Sequence, residues 1–344
     1  MGCTAIDLFC GCGGVTEGLK QAGFTVIAAV DNDPICCETY RLNHPEVHLL
    51  QKDICKTSAR SLKMILGKQK LDLLIVCAPC QPFSSLNKST KPDDRVYLIL
   101  QSVRFVKALK PKFVFFENVP GLTKNSAVLS QLKSEFTKLG YILSEAQQVD
   151  AADYEVPQRR VRCVIVASKK HPIELPPPIT PAGHRMTVRD TIETLPIASF
   201  NNPQDSLHVC RKHSKITLDR LHHISHDGGS RSELPNELVL PCHKKLDAEG
   251  EMTHYCDVYG RMRWDTVAPT LTTGCTDVTK GRYAHPCYDR AITLREAALL
   301  QTFPANYRFY GNSGQIARQI GNAVPVNLAK NLVAIFLNRK EGKS

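Results

Sequence analysis

A chain of 344 residues with 42% hydrophobic content can bury a substantial core and is not the composition of a disordered protein. No apolar run approaches the roughly 18 residues that a membrane span needs, and no charged start with an apolar stretch opens the chain, so a soluble cytoplasmic protein is expected and a membrane partner is not. The formal charge of +11 favours a polyanionic partner, and 14 irregularly spaced cysteines, several inside apolar runs, read as reduced thiols.

Thr4 to Phe9 reads as a strand, Gly11-Cys12-Gly13-Gly14 as a loop, and Val15 to Ala22 as a helix closed by Gly23. Thr25 to Val30 is uninterrupted apolar, as a buried parallel strand is, and ends in Asp31-Asn32-Asp33. The unit is a βαβ with a glycine turn and an acid 20 residues after Gly11. That layout lets backbone approach a nucleotide while a carboxylate takes ribose hydroxyls. The spacing is not G-x-G-x-x-G and no Lys-Ser/Thr follows, which suits a nucleoside without pyrophosphate; a turn serving only tight packing is the other reading.

The next apolar run, Leu71 to Cys77, leads into Ala78-Pro79-Cys80-Gln81-Pro82-Phe83-Ser84. Proline on both sides of Cys80 restricts the backbone, which fixes a thiol at the mouth of a strand, as a nucleophile requires. A polar stretch with two lysines, Ser84 to Pro92, separates Cys80 from a helix expected near Asp93. Thirty-seven residues after Cys80, a run starting Phe113-Val114-Phe115-Phe116 ends in Glu117-Asn118-Val119, so a carboxylate is expected on the same carboxyl edge of the same parallel sheet.

Residues 1–168 carry 21 Lys+Arg against 16 Asp+Glu, residues 169–291 carry 16 against 15, and residues 292–344 carry 7 against 2. The near-neutral middle holds ten of the twelve histidines and the single tryptophan. No internal repeat or low-complexity tract is evident. The pattern predicts an α/β domain, 1–168 plus 290–344, split in sequence by a smaller domain, 169–289.

Seven segments in order strongly resemble the motifs of DNA (cytosine-5) methyltransferases of the bacterial restriction-modification type: Asp7 to Gly14, Ala78 to Ser84, Asp93-Asp94-Arg95, Glu117-Asn118-Val119, Gln158 to Arg162, Arg295 to Gln301 and Gly321 to Pro325. The resemblance spans nearly the whole chain, with about 170–255 lacking a counterpart. It implies a Rossmann-like fold that binds S-adenosylmethionine, with 169–289 as the target-recognition domain. It implies that Cys80 attacks carbon-6 of cytosine, that Glu117 holds the ring nitrogen and exocyclic amine, that Arg162 supports the carbonyl oxygen and this carboxylate, and that Arg160 braces the site around Cys80.

By the same resemblance, Phe9, Gly11, Cys12, Gly13 and Gly14 shape the cofactor pocket, Asp31 binds the ribose, Asp53 and Ile54 flank the adenine, and Pro79 and Leu98 line the pocket. Asn32 stands where the family often has a bulky residue. Asn322, Ala323 and Val324 complete the pocket from the chain's far end. The partner implied is double-stranded DNA, whose cytosine must be flipped out of the stack. Gln81, Ser84, Lys88 and Lys91 would act on DNA from a lid, and Arg261, Arg263, Thr270 and Leu271 from the recognition domain. Neither metal nor membrane is implied; a monomer, nucleoid-associated in a bacterial cytoplasm, is expected, with a cognate restriction endonuclease as a separate protein.

Other readings stay in view. Cys77 and Cys80 form a C-x-x-C, which a redox protein would use, and Cys210, His213, His222, His223, Cys242 and His243 offer zinc ligands in no closed four-ligand spacing. Within the family, a tRNA-methylating enzyme is the alternative, although its Cys-Phe-Thr signature is missing. A catalytically inert DNA-binding relative is a third, opposed by the presence of Cys80, Glu117 and Arg162. The compact chain, with no extension before the first motif, favours a bacterial or phage enzyme.

Overall fold

The computed structural model describes residues 2–79, 94–241 and 257–337. Its centre is an eight-stranded sheet in the order β3-β2-β1-β4-β5-β8-β6, with β7 also paired to β8. The strands are β1 (Thr4–Leu8), β2 (Thr25–Asp31), β3 (His48–Gln51), β4 (Leu73–Val76), β5 (Phe113–Asn118), β6 (Ile142–Leu143), β7 (Gln147–Asp150) and β8 (Val161–Ser168). β3, β2, β1, β4 and β5 are mutually parallel, and β8 runs antiparallel to β5, β6 and β7.

The expected βαβ unit is present, with α1 (Gly14–Ala22) between β1 and β2. The sheet is buried on both faces because its strands alternate between two cores. Leu73, Ile75 and Phe115 face one core; Leu74, Val76 and Phe116 face the other. Continuous apolar runs are the sequence consequence of that double burial. α1 and α10 (Val326–Val333) cover the first face. α3 (Ala59–Leu66), α4 (Ser102–Leu109) and α5 (Ser126–Lys138) cover the second.

After β1 the chain moves outward to β2 and β3, then returns to place β4 on the other side of β1. The strand order therefore reverses between β1 and β4, and a crevice opens at their carboxyl ends. The glycine loop after β1 and the Pro79 segment after β4 both leave the sheet there.

The predicted split at 289/290 does not coincide with a break in packing. Val188, Met262, Trp264, Ala268 and Leu271 share a buried cluster with Ile292 and Leu300, and with Ile316 of α9 (Ser313–Asn322). A smaller cluster, including Leu221, Ile224, Leu234 and Tyr259, forms the outer part of the insert. Part of the segment 169–289 thus packs directly on the C-terminal helices. Among the described residues, no helix is long and apolar enough to cross a membrane.

Candidate active site

One cleft of ≈1810 Å³ runs along the carboxyl edge of the sheet. Its first wall is the turn after β1, where Phe9 takes φ 64° and its N–H donates to Val30 O at 2.8 Å, steering the chain off the sheet. Gly13 is the N-cap of α1 at φ 97°, and a Cβ there would lie 2.6 Å from His44 Nε2 and 2.7 Å from Tyr307 Oη, so both conformation and space demand glycine. Gly13 therefore packs on the far side of the loop, while Gly11, Cys12 and Gly14 line the cleft. Nothing lies within 4 Å of where a Gly11 Cβ would stand, which leaves open space beside bare backbone.

Asp31 closes β2. Its Oδ2 accepts the Gly11 N–H at 2.8 Å and its Oδ1 accepts the Asp33 N–H at 2.9 Å, so one carboxylate organises both loops. Burial pushes the Asp31 carboxyl up from its ordinary range, against those N–H bonds. Asp53 caps the turn at Ile54, accepting the Cys55 N–H at 2.8 Å. From the far end of the chain, Val324 O sits 2.8 Å from where a Gly14 Cβ would be. Phe9, Asp31, Asn32, Asp53, Ile54, Pro79, Leu98, Asn322, Ala323 and Val324 all line this cleft.

Glu117 lies at the end of β5 on the opposite wall. In the antiparallel pair, Glu117 stands opposite Val164, which puts Arg162, two residues along β8, diagonally across on the same face. Arg162 Nε is 3.0 Å from Glu117 Oε1, with both side chains nearly buried. Burial raises the Glu117 carboxyl's pKa, while Arg162 first and Arg160 second pull it down. Asn118 Nδ2 donates to Ala78 O at 3.1 Å, which ties the Glu117 strand to the root of the segment leading to Cys80. Cys80, Gln81, Ser84, Lys88 and Lys91 lie outside the described residues.

Arg160 is buried and donates to Leu271 O at 2.8 Å, Gly321 O at 2.9 Å and Ala323 O at 3.0 Å. It joins the insert to the cofactor wall. Sequence reasoning assigned no role to Gln158, which has no exposed surface: its Oε1 accepts the Leu271 N–H at 2.9 Å and its Nε2 donates to Gln301 Oε1 at 3.0 Å. Gln301 Nε2 donates in turn to Ile320 O at 2.6 Å. The signal was available, since both glutamines stand inside quoted motifs. An uncharged amide supplies donor and acceptor together, which a junction of three backbone segments needs.

The DNA-reading expectations fare unevenly. Thr270 is exposed on the cleft, its hydroxyl donating to Arg159 O at 2.7 Å. Arg263 is exposed on the insert, lying over Gly228, and is not among the cleft-lining residues. Leu271 lines the cleft but is wholly buried in the shared core, so it shapes a wall and offers no surface to DNA. Arg261 must be corrected. It is 0% exposed, and its guanidinium donates to Ile224 O, His285 O, Tyr288 O and Leu221 O at 2.8–3.1 Å and to Asp289. Every side of that group is spent on organising the insert, so none is left for a base edge.

The doubly wound sheet, with the glycine loop and acid at its switch point and the C-terminal return, defines a Rossmann-like α/β fold. Residues 3–336 match the model of the C-5 cytosine-specific DNA methylases, and the chain belongs to that family. The Type II methylase M.HgiDII of Herpetosiphon aurantiacus is 40% identical, over 98% of this chain and 96% of that one. The Type II methyltransferase M.XorII of Xanthomonas oryzae pv. oryzae is 34% identical, over 94% and 82%. In fold, a DNA modification methyltransferase encoded within an Escherichia coli prophage superposes with TM-score 0.72 at 23% identity, covering 96% of this chain and 97% of that one. S. pombe Dnmt2 methyltransferase gives 0.67 at 17%, covering 97% and 98%.

Proposed function

We propose that this cytosine-5 DNA methyltransferase acts on one specific double-stranded sequence, as the modification half of a restriction-modification system. The observation that carries the reading is that a buried, arginine-paired carboxylate, Glu117, shares one cleft with the glycine loop, Asp31 and Asn322–Val324, at the edge from which the Cys80 segment departs. A buried acid and a nucleoside-sized pocket on one sheet edge, with a cysteine following Pro79 in sequence, are the parts that methylation of a cytosine ring requires.

S-adenosylmethionine fits the first half of the cleft. Bare backbone at Gly11, a carboxylate at Asp31 and apolar surface from Ile54 and Leu98 match a nucleoside with a short polar tail. In this reading the Asp31 carboxylate accepts from ribose hydroxyls, Asp53 and Ile54 border the base, and Asn322–Val324 close the tail end. When bound, the cofactor supplies an electrophilic methyl group.

The chain's own residues make the cytosine reactive. Carbon-5 is a poor nucleophile until a thiolate adds to carbon-6, and in this reading Cys80, the cysteine of the Pro79-Cys80-Gln81 motif, makes that addition. Burial raises the Glu117 pKa and Arg162 keeps the carboxyl oriented; in this reading Glu117 donates to the ring nitrogen as charge develops there. A base or water takes the carbon-5 proton, Cys80 leaves as the thiolate, and the ring-nitrogen proton returns to Glu117, which restores the aromatic ring.

DNA containing 5-fluorocytosine has no proton to lose at that carbon. It should trap the wild-type chain covalently, while Cys80→Ser forms no adduct yet still binds cofactor. Bisulfite sequencing of DNA from expressing cells reads the target at the same time. Methyl incorporation by Cys80→Ser near the wild-type rate would end this reading.

A further inference from the structure

We propose that Tyr307, acting with His44 and Lys20, is a positioning residue that sets cofactor affinity by holding the Gly11–Gly14 loop from the side opposite the cleft. The proposal rests on the reading that this loop receives S-adenosylmethionine.

The contacts form a chain whose direction is fixed by chemistry. Lys20 Nζ lies 3.3 Å from His44 Nδ1. An ammonium can only donate, so Nδ1 accepts and the proton of the neutral ring sits on Nε2. His44 Nε2 is 3.0 Å from Tyr307 Oη, which therefore accepts. The phenol keeps its own hydrogen for Cys12 O, 2.6 Å away. His44, Tyr307 and Cys12 are all buried. Burial first, with Lys20 adding, lowers the His44 pKa to about 4, so the ring is neutral at physiological pH.

Two further observations make this a device for the loop. Gly13 is pressed directly against His44 and Tyr307, with no room for a Cβ, so the relay touches the loop at consecutive residues. The segment carrying Tyr307 is also laced to α2 (Pro34–Asn43): Asn43 Nδ2 donates to Arg308 O at 2.7 Å, Arg308 N–H to Asn43 Oδ1 at 3.0 Å, and Tyr310 N–H to Thr39 Oγ1 at 2.9 Å. α2 begins at the Asp31–Asp33 turn. One C-terminal segment thus backs both loops that face the cofactor, and fixing a loop in its binding geometry in advance lowers the ordering cost of binding.

The Tyr307 ring packs on Phe303 and Phe309 at centroid distances of 4.7 and 5.3 Å, so Tyr307→Phe keeps the packing and removes only the relay. Calorimetry should show S-adenosylmethionine and S-adenosylhomocysteine binding roughly tenfold more weakly, about 1.4 kcal/mol. KM for the cofactor should rise in step, with kcat at saturating cofactor and the Kd for DNA unchanged. Lys20→Met, at a half-exposed position, should weaken cofactor binding about two- to threefold. It should also remove the preference of His44 for the Nε2–H tautomer, read by nitrogen-15 NMR; this variant carries the test if Tyr307→Phe melts too low to assay. Unchanged cofactor Kd in a folded Tyr307→Phe, or an equal loss of DNA affinity, would overturn the proposal. Wild-type protein that binds no cofactor would overturn the cofactor reading and this proposal together.

Discussion

Asp7 shows how far the fold bends a single residue's chemistry. It sits in β1 with no exposed surface, and Thr16 Oγ1 donates to its Oδ2 at 2.9 Å. Burial, offset partly by Thr16 and reinforced by Asp31, pushes its pKa from 3.8 up to about 7. Between those values the folded chain holds a proton that the unfolded chain releases, so stability falls as pH rises from about 4 to about 7 and levels above. In denaturant melts across that range, the stability of wild type relative to Asp7→Asn should decline by at most about 1.4 kcal/mol per pH unit. Parallel curves would show that Asp7 is already ionised in the fold. Glu117 is raised for the same reason, but there Arg162 keeps a charge within reach. Arg162→Met should therefore raise the Glu117 pKa further and move the pH limb of single-turnover methylation that depends on it to higher pH.

Among the elements, α9 and the Thr270–Thr273 segment meet backbone to backbone. A Cβ on Gly321 would collide with the Thr272 carbonyl and the Thr273 nitrogen, and the same contact is bonded from the other side by Arg160. Gly321→Ala must part these two walls, at a cost of roughly 1–3 kcal/mol. Thermal melts should show that loss. Cofactor and DNA affinity should fall together, since one wall faces each ligand. A variant that binds both ligands as wild type does would show the contact to be slack.

Over the whole molecule, charge is unevenly distributed along the chain. The insert is nearly neutral, whereas the segments either side of it are basic. DNA affinity should thus fall with rising salt through residues of the catalytic part. Arg263 and Thr270 are both exposed, and if Arg263 reads a base edge, Arg263→Ala should cost about 1–3 kcal/mol of discrimination between the cognate duplex and single-base variants. Arg261→Met should instead strip the insert of its central bonds and destabilise the protein by roughly 3–5 kcal/mol, with the preferred sequence of the remaining folded protein unchanged. Melting curves beside specificity ratios separate the two outcomes.

By itself the sequence determined the parallel strands, the βαβ unit at the front, the glycine loop with its acid, and the family. These are local: unbroken apolar runs, turns and contiguous motifs are written along neighbouring positions, and a doubly buried strand has no other way to read. The tertiary structure decided what depends on distant partners. Arg261 looked like Arg263 because both are arginines in one stretch, and only the carbonyls of Leu221, Ile224, His285 and Tyr288 converging on it show that it is interior. That residues of the segment 169–289 share a core with the helices that follow it is likewise a contact between distant positions. Gln158, Gln301 and Tyr307 take their meaning from hydrogen-bond partners up to 295 residues away in the chain. A hydrogen bond is specified by direction and distance in space, and neither is encoded in the spacing of residues along the chain.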